Sequence, residues 1–358
     1  VAYGSYDSPL LSDALIHHRD GVAGPWQDLT PPTQHPFEGD AGSTENLARW
    51  SPDVRGRVID FELFSKIGFS VDAATATPRR ASLWHLAVTG GSGTAAPTAT
   101  YAPLARFIRP TEAIFAAQVK RLNNYADLRG DRLSEVISEL PGPDAFLASV
   151  AYLHPARARW TLELLSAVFR LANFVEMRVK HALSCRRPLE YSPQLQPIIM
   201  SPAHGALPSG HATESFMAAL VLWELLRPSL ATGSVNLYAL QLMRTAARVA
   251  INRQVAGVHT PVESAAGAML GLTLGRYFVG RCAAVPLTYA AWEFNGENFA
   301  MTGDFLWTEL FEIPSSTTTL PSQQATAYAT AVTMSSGSLG DQSALLAWLW
   351  GKAAAEWV

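Results

Sequence analysis

From about residue 110 to residue 280, apolar side chains recur at helical spacing, broken at short intervals by start and stop signals. That pattern limits the chain to a fold built mainly from packed helices. Pro110, Thr111 and Glu112 open a run to about Leu128, with Phe115, Val119, Leu122 and Tyr125 on one face. A second run covers 132–139, and Pro143 with Asp144 starts a short third. Residues 156–182 carry a long periodicity through Leu162, Leu165, Phe169, Phe174 and Met177. Ser209 is placed to cap a helix that runs to about Leu226 and stops before Pro228. Two more helices are expected over 236–255 and 261–279, the second with Pro261 in its first turn and Glu263 just after. A last helix is expected over 339–356.

The N-terminal third has another texture. Residues 1–50 are rich in Pro, Gly, Asp and Ser and read as an extended arm wrapped over a body or as a partly ordered tail. Short β-prone pieces follow, Val58 to Phe61 and Leu83 to Val88, and predict a hairpin or small sheet within 53–90. Gly90 to Pro97 marks a loop. The expected fold is therefore all-α, with an irregular segment 1–109, small β hairpins included, packed on a helical domain 110–358 as one compact unit.

Composition removes several function classes. Hydrophobic residues make up 48% of the 358, enough for a sizeable core, and charged residues only 16%. A net charge of -3 argues against a broad nucleic-acid surface but leaves room for a few cations around a small anion. No stretch is long and purely apolar enough for an ordinary membrane span, since Arg276 interrupts the nearest candidate at 264–280. Cys185 and Cys282 form no zinc pattern or dense framework, and two buried small hydrophobes is the plain expectation. The chain starts Val1-Ala2-Tyr3-Gly4 without the basic and apolar regions of a signal peptide. It does not begin with Met, so removal of an earlier segment stays open, and with it the compartment. The amphipathic helices and the arm fit a homo-oligomer.

Three patches in the helical part carry chemistry: Lys180-x6-Arg187-Pro188, Pro208-Ser209-Gly210-His211 and Asn252-Arg253-x5-His259. Taken singly, Lys180 is a solvated lysine, Ser209 a helix cap, and each histidine a core residue. Taken together they hold one Lys, two Arg, a helix-start Ser-Gly and two His, which is the inventory for a tetrahedral oxyanion. A neutral imidazole attacks the central atom of such a group or binds it as a ligand, and a second passes a proton to or from one of its oxygens. If Pro261 begins a helix, Glu263 accepts a bond from the other nitrogen of His259 and fixes its tautomer.

This ordered set resembles the superfamily of type 2 phosphatidic acid phosphatases and vanadium-dependent haloperoxidases. Between the patches lie 19 residues from Pro188 to Pro208 and 40 from His211 to Asn252, gaps that fit the family. The match covers 180–263 directly, and a vanadium haloperoxidase-like helical bundle is implied from about 110 to 280. By resemblance, Lys180, Arg187 and Arg253 hold the equatorial oxygens of vanadate or phosphate. Ser209 and the Gly210 amide add hydrogen bonds. His259 is the vanadium ligand, or the nucleophile that forms a phosphohistidine, and His211 is the acid–base residue. Asn252 stands where the family usually has Ser, and Glu263 where Asp is usual. His204 looks like the algal bromoperoxidases, whereas Met177 stands where the eukaryotic haloperoxidases have Trp, which fits a divergent bacterial member.

The leading expectation is a vanadium-dependent haloperoxidase. It would use one vanadate per chain, hydrogen peroxide, bromide or iodide rather than chloride, and a small electron-rich organic substrate. In that chemistry Lys180 draws charge from the peroxide, His211 takes its proton, and His204 joins the halide pocket. The alternative is a soluble acid-phosphatase-like hydrolase working through a phosphohistidine. A non-catalytic homologue that kept the fold is the third reading.

Overall fold

The computed structural model describes residues 8–28, 42–91, 93–282, 290–315, 319–332 and 342–358, and the chain divides into two units, Val1–Arg49 and Trp50–Val358. In the first unit, Ser8 Oγ accepts the Leu11 amide at 3.4 Å and Pro9 takes the first position of helix α1 (Pro9–Val22). No residue of α1 is buried.

The second unit begins with helix α2 (Pro52–Phe64) and an antiparallel meander of β1 (Ile67–Val71), β2 (Arg80–Thr89) and β3 (Thr98–Ile108). Seven helices follow: α3 (Glu112–Tyr125), α4 (Arg129–Ser138), α5 (Asp144–Ala151), α6 (Arg159–Leu183), α7 (Gly210–Leu226), α8 (Val235–Val255) and α9 (Pro261–Cys282). Strand β4 (Ala291–Asn295) then returns to run parallel to β3, with Ala105 opposite Trp292 and Ile108 opposite Asn295. A single turn α10 (Trp307–Leu310) and the two-residue pair β5 (Phe311–Glu312) and β6 (Ser322–Gln323) come next. Strand β7 (Ala329–Val332) closes the sheet antiparallel to β4, in the order β1-β2-β3-β4-β7, and α11 (Ala344–Ala354) is last.

Helices α7 and α9 form the centre. Both are buried almost all round, because both are apolar or small on every face. Three glycines of α9 let the two backbones touch. A Cβ on Gly267 would stand 2.5 Å from the Ser209 carbonyl, and one on Gly271 would lie against the Thr213 carbonyl. One on Gly275 would stand 2.9 Å from Leu220 Cδ2. A larger side chain therefore has to push α7 away. Gly271→Leu is expected to destabilise the fold by about 3 kcal/mol, read as a lower urea midpoint with an unchanged slope. An unchanged midpoint would mean that the contact is slack.

The structure modifies the all-α expectation. The chain is mainly helical, but a five-stranded sheet joins the segment before the helices to the segment after them. Leu83 to Val88 does lie in β2, whereas Val58 to Phe61 lies inside α2. The start signal of Pro52 after Ser51, with Asp53 in the first turn, outweighs the β-branched pair. The division of the chain falls between Arg49 and Trp50 rather than after residue 109. Strand β3 has no clean alternation because its first half is exposed; burial starts only at Leu104 and Ala105. Phe174, expected in the core, is half exposed and stacks on Phe64 with ring centres 4.3 Å apart, while Phe216 is fully buried. Cys185 and Cys282 are buried free thiols. Part of Ser315 to Thr319, which reads as a polar loop, the start of the run at 339–356 and the residues Val1 to Gly4 fall outside the described residues. Among the described residues no helix is long and apolar enough to cross a membrane.

Candidate active site

Local geometry at two helix ends explains the motif spacings. Helix α8 stops in a Schellman turn: the Gly257 amide donates to the Gln254 carbonyl at 2.9 Å and the Val258 amide to the Arg253 carbonyl at 3.1 Å. Gly257 takes φ 83, the left-handed conformation that such a turn needs. The turn reverses the chain within the x5 spacer and returns His259 beside the last turn of α8, where Arg253 sits. Helix α6 ends similarly at Ser184, with φ 48 and its amide on the Lys180 carbonyl at 3.0 Å. Arg187 then lies beyond the helix end, and its Nε donates to the His204 carbonyl at 2.8 Å.

His259 is buried at the centre of the group. Its Nδ1 donates to Glu263 Oε2 at 2.7 Å, and that oxygen also accepts the Thr260 amide at 3.0 Å. Nε2 is thereby left with the lone pair, 3.2 Å from Arg187 Nη1. Burial, and then the charges of Arg187 and Lys180, hold the imidazolium form of His259 well below the ordinary range, so the ring is neutral. Burial pushes the Glu263 carboxyl up to about 7, opposed by the Thr260 amide and Arg187. The first turn of α9 is pinned by Gln118, whose Oε1 accepts the Val262 amide at 3.0 Å.

Arg253 enters from α8. Its Nη2 donates to Glu139 Oε2 at 2.6 Å and to the Val136 carbonyl at 2.9 Å. Its Nε and Nη1 are buried without a hydrogen-bond partner, and so is Ser209 Oγ at the head of α7. Buried donors are seldom left so. An oxyanion in front of α7 would take all of them, together with the amides of the first turn that begins at Gly210. The residues present therefore fit phosphate or vanadate. Lys180 is buried on α6, donates through Nζ to the Pro208 carbonyl, and lies 3.8 Å from Glu176 Oε1.

His211 is the second imidazole. Its Nε2 lies 3.0 Å from the Glu139 carbonyl, which only accepts, so Nε2 carries the hydrogen and Nδ1 is left to exchange a proton. Burial, and then the Arg253 charge, pull the His211 pKa down to about 4.

The structure thus gathers Lys180, Arg187, Ser209, Gly210, His211, Arg253, His259 and Glu263. Asn252 sits behind them, donating to Glu139 Oε1 at 2.6 Å and to Glu135 Oε2 at 2.9 Å. His204 is exposed, with Nδ1 3.1 Å from Arg187 Nη2, and both line an open cleft of about 380 Å³ together with Ser201, Glu190 and Leu189. Met177 is half-buried on α6, three residues before Lys180, with no described contact to the group. Two carboxylates escaped sequence reasoning. Glu176 stands four residues before Lys180, a helical pair spacing that was there to be read. Glu139 closes α4, 114 residues from its partner Arg253, and no local signal marks it. Among the described residues, no group of three or more His, Cys, Asp or Glu is placed to chelate a cation.

Residues 160–282 match the PAP2 superfamily model. The matched PAP2 segment runs from α6 to the end of α9 and holds every residue of the group except Glu139. Among solved structures, a transmembrane PAP2-type phosphatidylglycerolphosphate phosphatase from Bacillus subtilis is similar at 17% identity, over 48% of this chain and 85% of that one, with a TM-score of 0.30. No curated protein matches the chain.

Proposed function

We propose that this chain is a phosphoester hydrolase that works through a phosphohistidine on His259. The observation that carries the reading is the state of that ring: neutral, with Nδ1 tied to Glu263 and the Nε2 lone pair facing Arg187 beside the unpartnered donors of Arg253 and Ser209. The family match over the same segment favours phosphoryl chemistry. Arg187, Arg253, Lys180 and the head of α7 would hold the phosphoryl oxygens as charge builds on them. Nε2 would attack phosphorus while His211 protonates the leaving oxygen, and His211 would then accept a proton from the water that cleaves the phosphorus–nitrogen bond.

His204, bonded to Arg187 at the mouth of the cleft, favours a second reading, the vanadium-dependent haloperoxidase. Bound vanadate would supply a Lewis-acidic centre for the oxidation of bromide or iodide by hydrogen peroxide. His259 would ligate it, the same cations would hold its oxygens, and neutral His211 would accept a proton.

The two readings use His211 in opposite forms, and this gives a test. As the general acid of the free enzyme it has to be protonated, so kcat/KM for a phosphomonoester is expected to fall as pH rises above about 4. His211→Asn would flatten that limb. As a base it has to be neutral, so vanadate-dependent bromide oxidation would instead lose rate as pH drops towards 4. Purified protein should be assayed for p-nitrophenyl phosphate hydrolysis, and for bromination of a diketone with peroxide and added orthovanadate. Hydrolysis inhibited by orthovanadate supports the hydrolase. Halide oxidation absent without vanadate, with no hydrolysis, supports the haloperoxidase. Neither activity across pH 4 to 8 would leave the non-catalytic homologue.

A further inference from the structure

Glu176 has no part in that chemistry, yet it is buried directly under the pocket. Its carboxyl lies against the first residue of α7: a Cβ on Gly210 would stand 2.5 Å from Glu176 Oε1, so a side chain there would displace the carboxyl. Oε1 is 3.8 Å from Lys180 Nζ, and Oε2 is buried without a hydrogen-bond partner. We propose that Glu176 is a positioning residue of the oxyanion pocket that acts through Lys180: as a carboxylic acid it leaves the Lys180 ammonium to the ligand, and as a carboxylate it takes that ammonium for itself.

The surroundings fit such a role. Burial dominates at Glu176 and pushes its pKa up to about 8, opposed by Lys180 and Arg187 and reinforced by Glu214 on α7. Glu214 in turn lies near Asp144 on α5. Burial is what favours the uncharged carboxyl; it also lowers the Lys180 pKa, a shift opposed by Glu176, and Lys180 keeps a hydrogen-bond acceptor in the Pro208 carbonyl. An ionised Glu176 would sit beneath the N-terminus of α7 and compete with the ligand for that positive end as well as for Lys180. The pocket's other carboxylates, Glu139 and Glu263, are each engaged by Arg253 or by His259. Glu176 is the one whose ionisation would withdraw a cation from the ligand.

The inference rests on the oxyanion pocket proposed above and is tested by binding, not turnover. The Kd of inorganic phosphate is measured for the wild-type protein and for Glu176→Gln from pH 6 to pH 9. The ratio of the two constants removes phosphate's own ionisation. It is expected to be near one at pH 6 and to grow to about tenfold at pH 9, with the wild type the weaker binder. A ratio constant across the range, whatever its size, marks a packing role and overturns the assignment. No phosphate binding by the wild type at any pH overturns the pocket itself. Should Glu176→Gln fold poorly, calorimetry of the wild type in two buffers of different ionisation heat decides. Proton uptake on phosphate binding at pH 8.5 is expected, and zero uptake or release overturns the inference.

Discussion

His259→Ala is expected to lower phosphomonoester turnover by about 10³-fold or more, because under the proposed mechanism it removes the nitrogen that attacks phosphorus. Phosphate binding should survive better than turnover, since Arg187, Arg253, Lys180 and the head of α7 remain. The substitution leaves Glu263 buried with the Thr260 amide as its partner, so some loss of stability is expected too. Circular dichroism and a urea titration separate that loss from the chemistry, and His259→Asn offers a more polar replacement for the same comparison. Rapid-quench labelling with a radiolabelled substrate, stopped in alkali, should trap an alkali-stable, acid-labile phosphoprotein in the wild type and none in the variant. Turnover of a folded His259→Ala protein at the wild-type rate would end the nucleophile assignment. Under the haloperoxidase reading the same variant would lose its response to vanadate.

Glu139→Ala is expected to be among the most destabilising single substitutions in the protein. The carboxylate and the Arg253 guanidinium are 2.6 Å apart, with side chains 0% and 1% exposed. Removing the acid strands a buried cation that already has two unpartnered nitrogens, and it also takes a 2.6 Å acceptor from Asn252. Breaking a buried pair on one side costs about 3–5 kcal/mol. Urea denaturation should show that loss. The double variant Glu139→Leu with Arg253→Met should recover much of the stability, because paired apolar replacements of similar volume are often tolerated. It should recover no activity and no phosphate affinity, because the donors of Arg253 are gone. Recovery of both would mean that Arg253 serves the fold alone.

The sequence was most legible where a local rule ties residue type to backbone shape. Thr111 caps α3 through its Oγ1 on the Ile114 amide, and α6, α8 and α9 follow their apolar spacing to within a few residues at each end. The three patches could be grouped from the sequence by their residue types and order, and the structure brings them together through local features, the Schellman turn at Gly257 and the reversal at Ser184. The bond from His259 to Glu263 spans one helical turn and was readable for the same reason. What stayed hidden is non-local. Glu139 meets Arg253 only because α4 packs against α8, and a carboxylate at the end of an amphipathic helix looks like any solvated one. Of the sheet, only the piece that lies in β2 was legible as strand; the extent of the sheet was hidden because half of β3 is exposed and its partner β4 lies far along the chain. Phe174 followed the helical stripe on paper, yet it meets Phe64 at the surface, because the pattern fixes a face of the helix and not what lies opposite it.

The parallel pairing of β3 with β4 has a consequence for the order in which the molecule is made. Ile108 leaves the ribosome roughly 180 residues before its partner segment, a delay of about 10–40 s at ordinary rates of synthesis. During that interval the β1-β2-β3 meander presents an open edge, and the helical body is completed while the edge waits. The last strands then close a seam over a body already formed. Nascent chains stalled just before β4 should accordingly hold protease-resistant helices while still sticking to one another through the open strand. Supplying the final segment in trans as a separate peptide should relieve that stickiness.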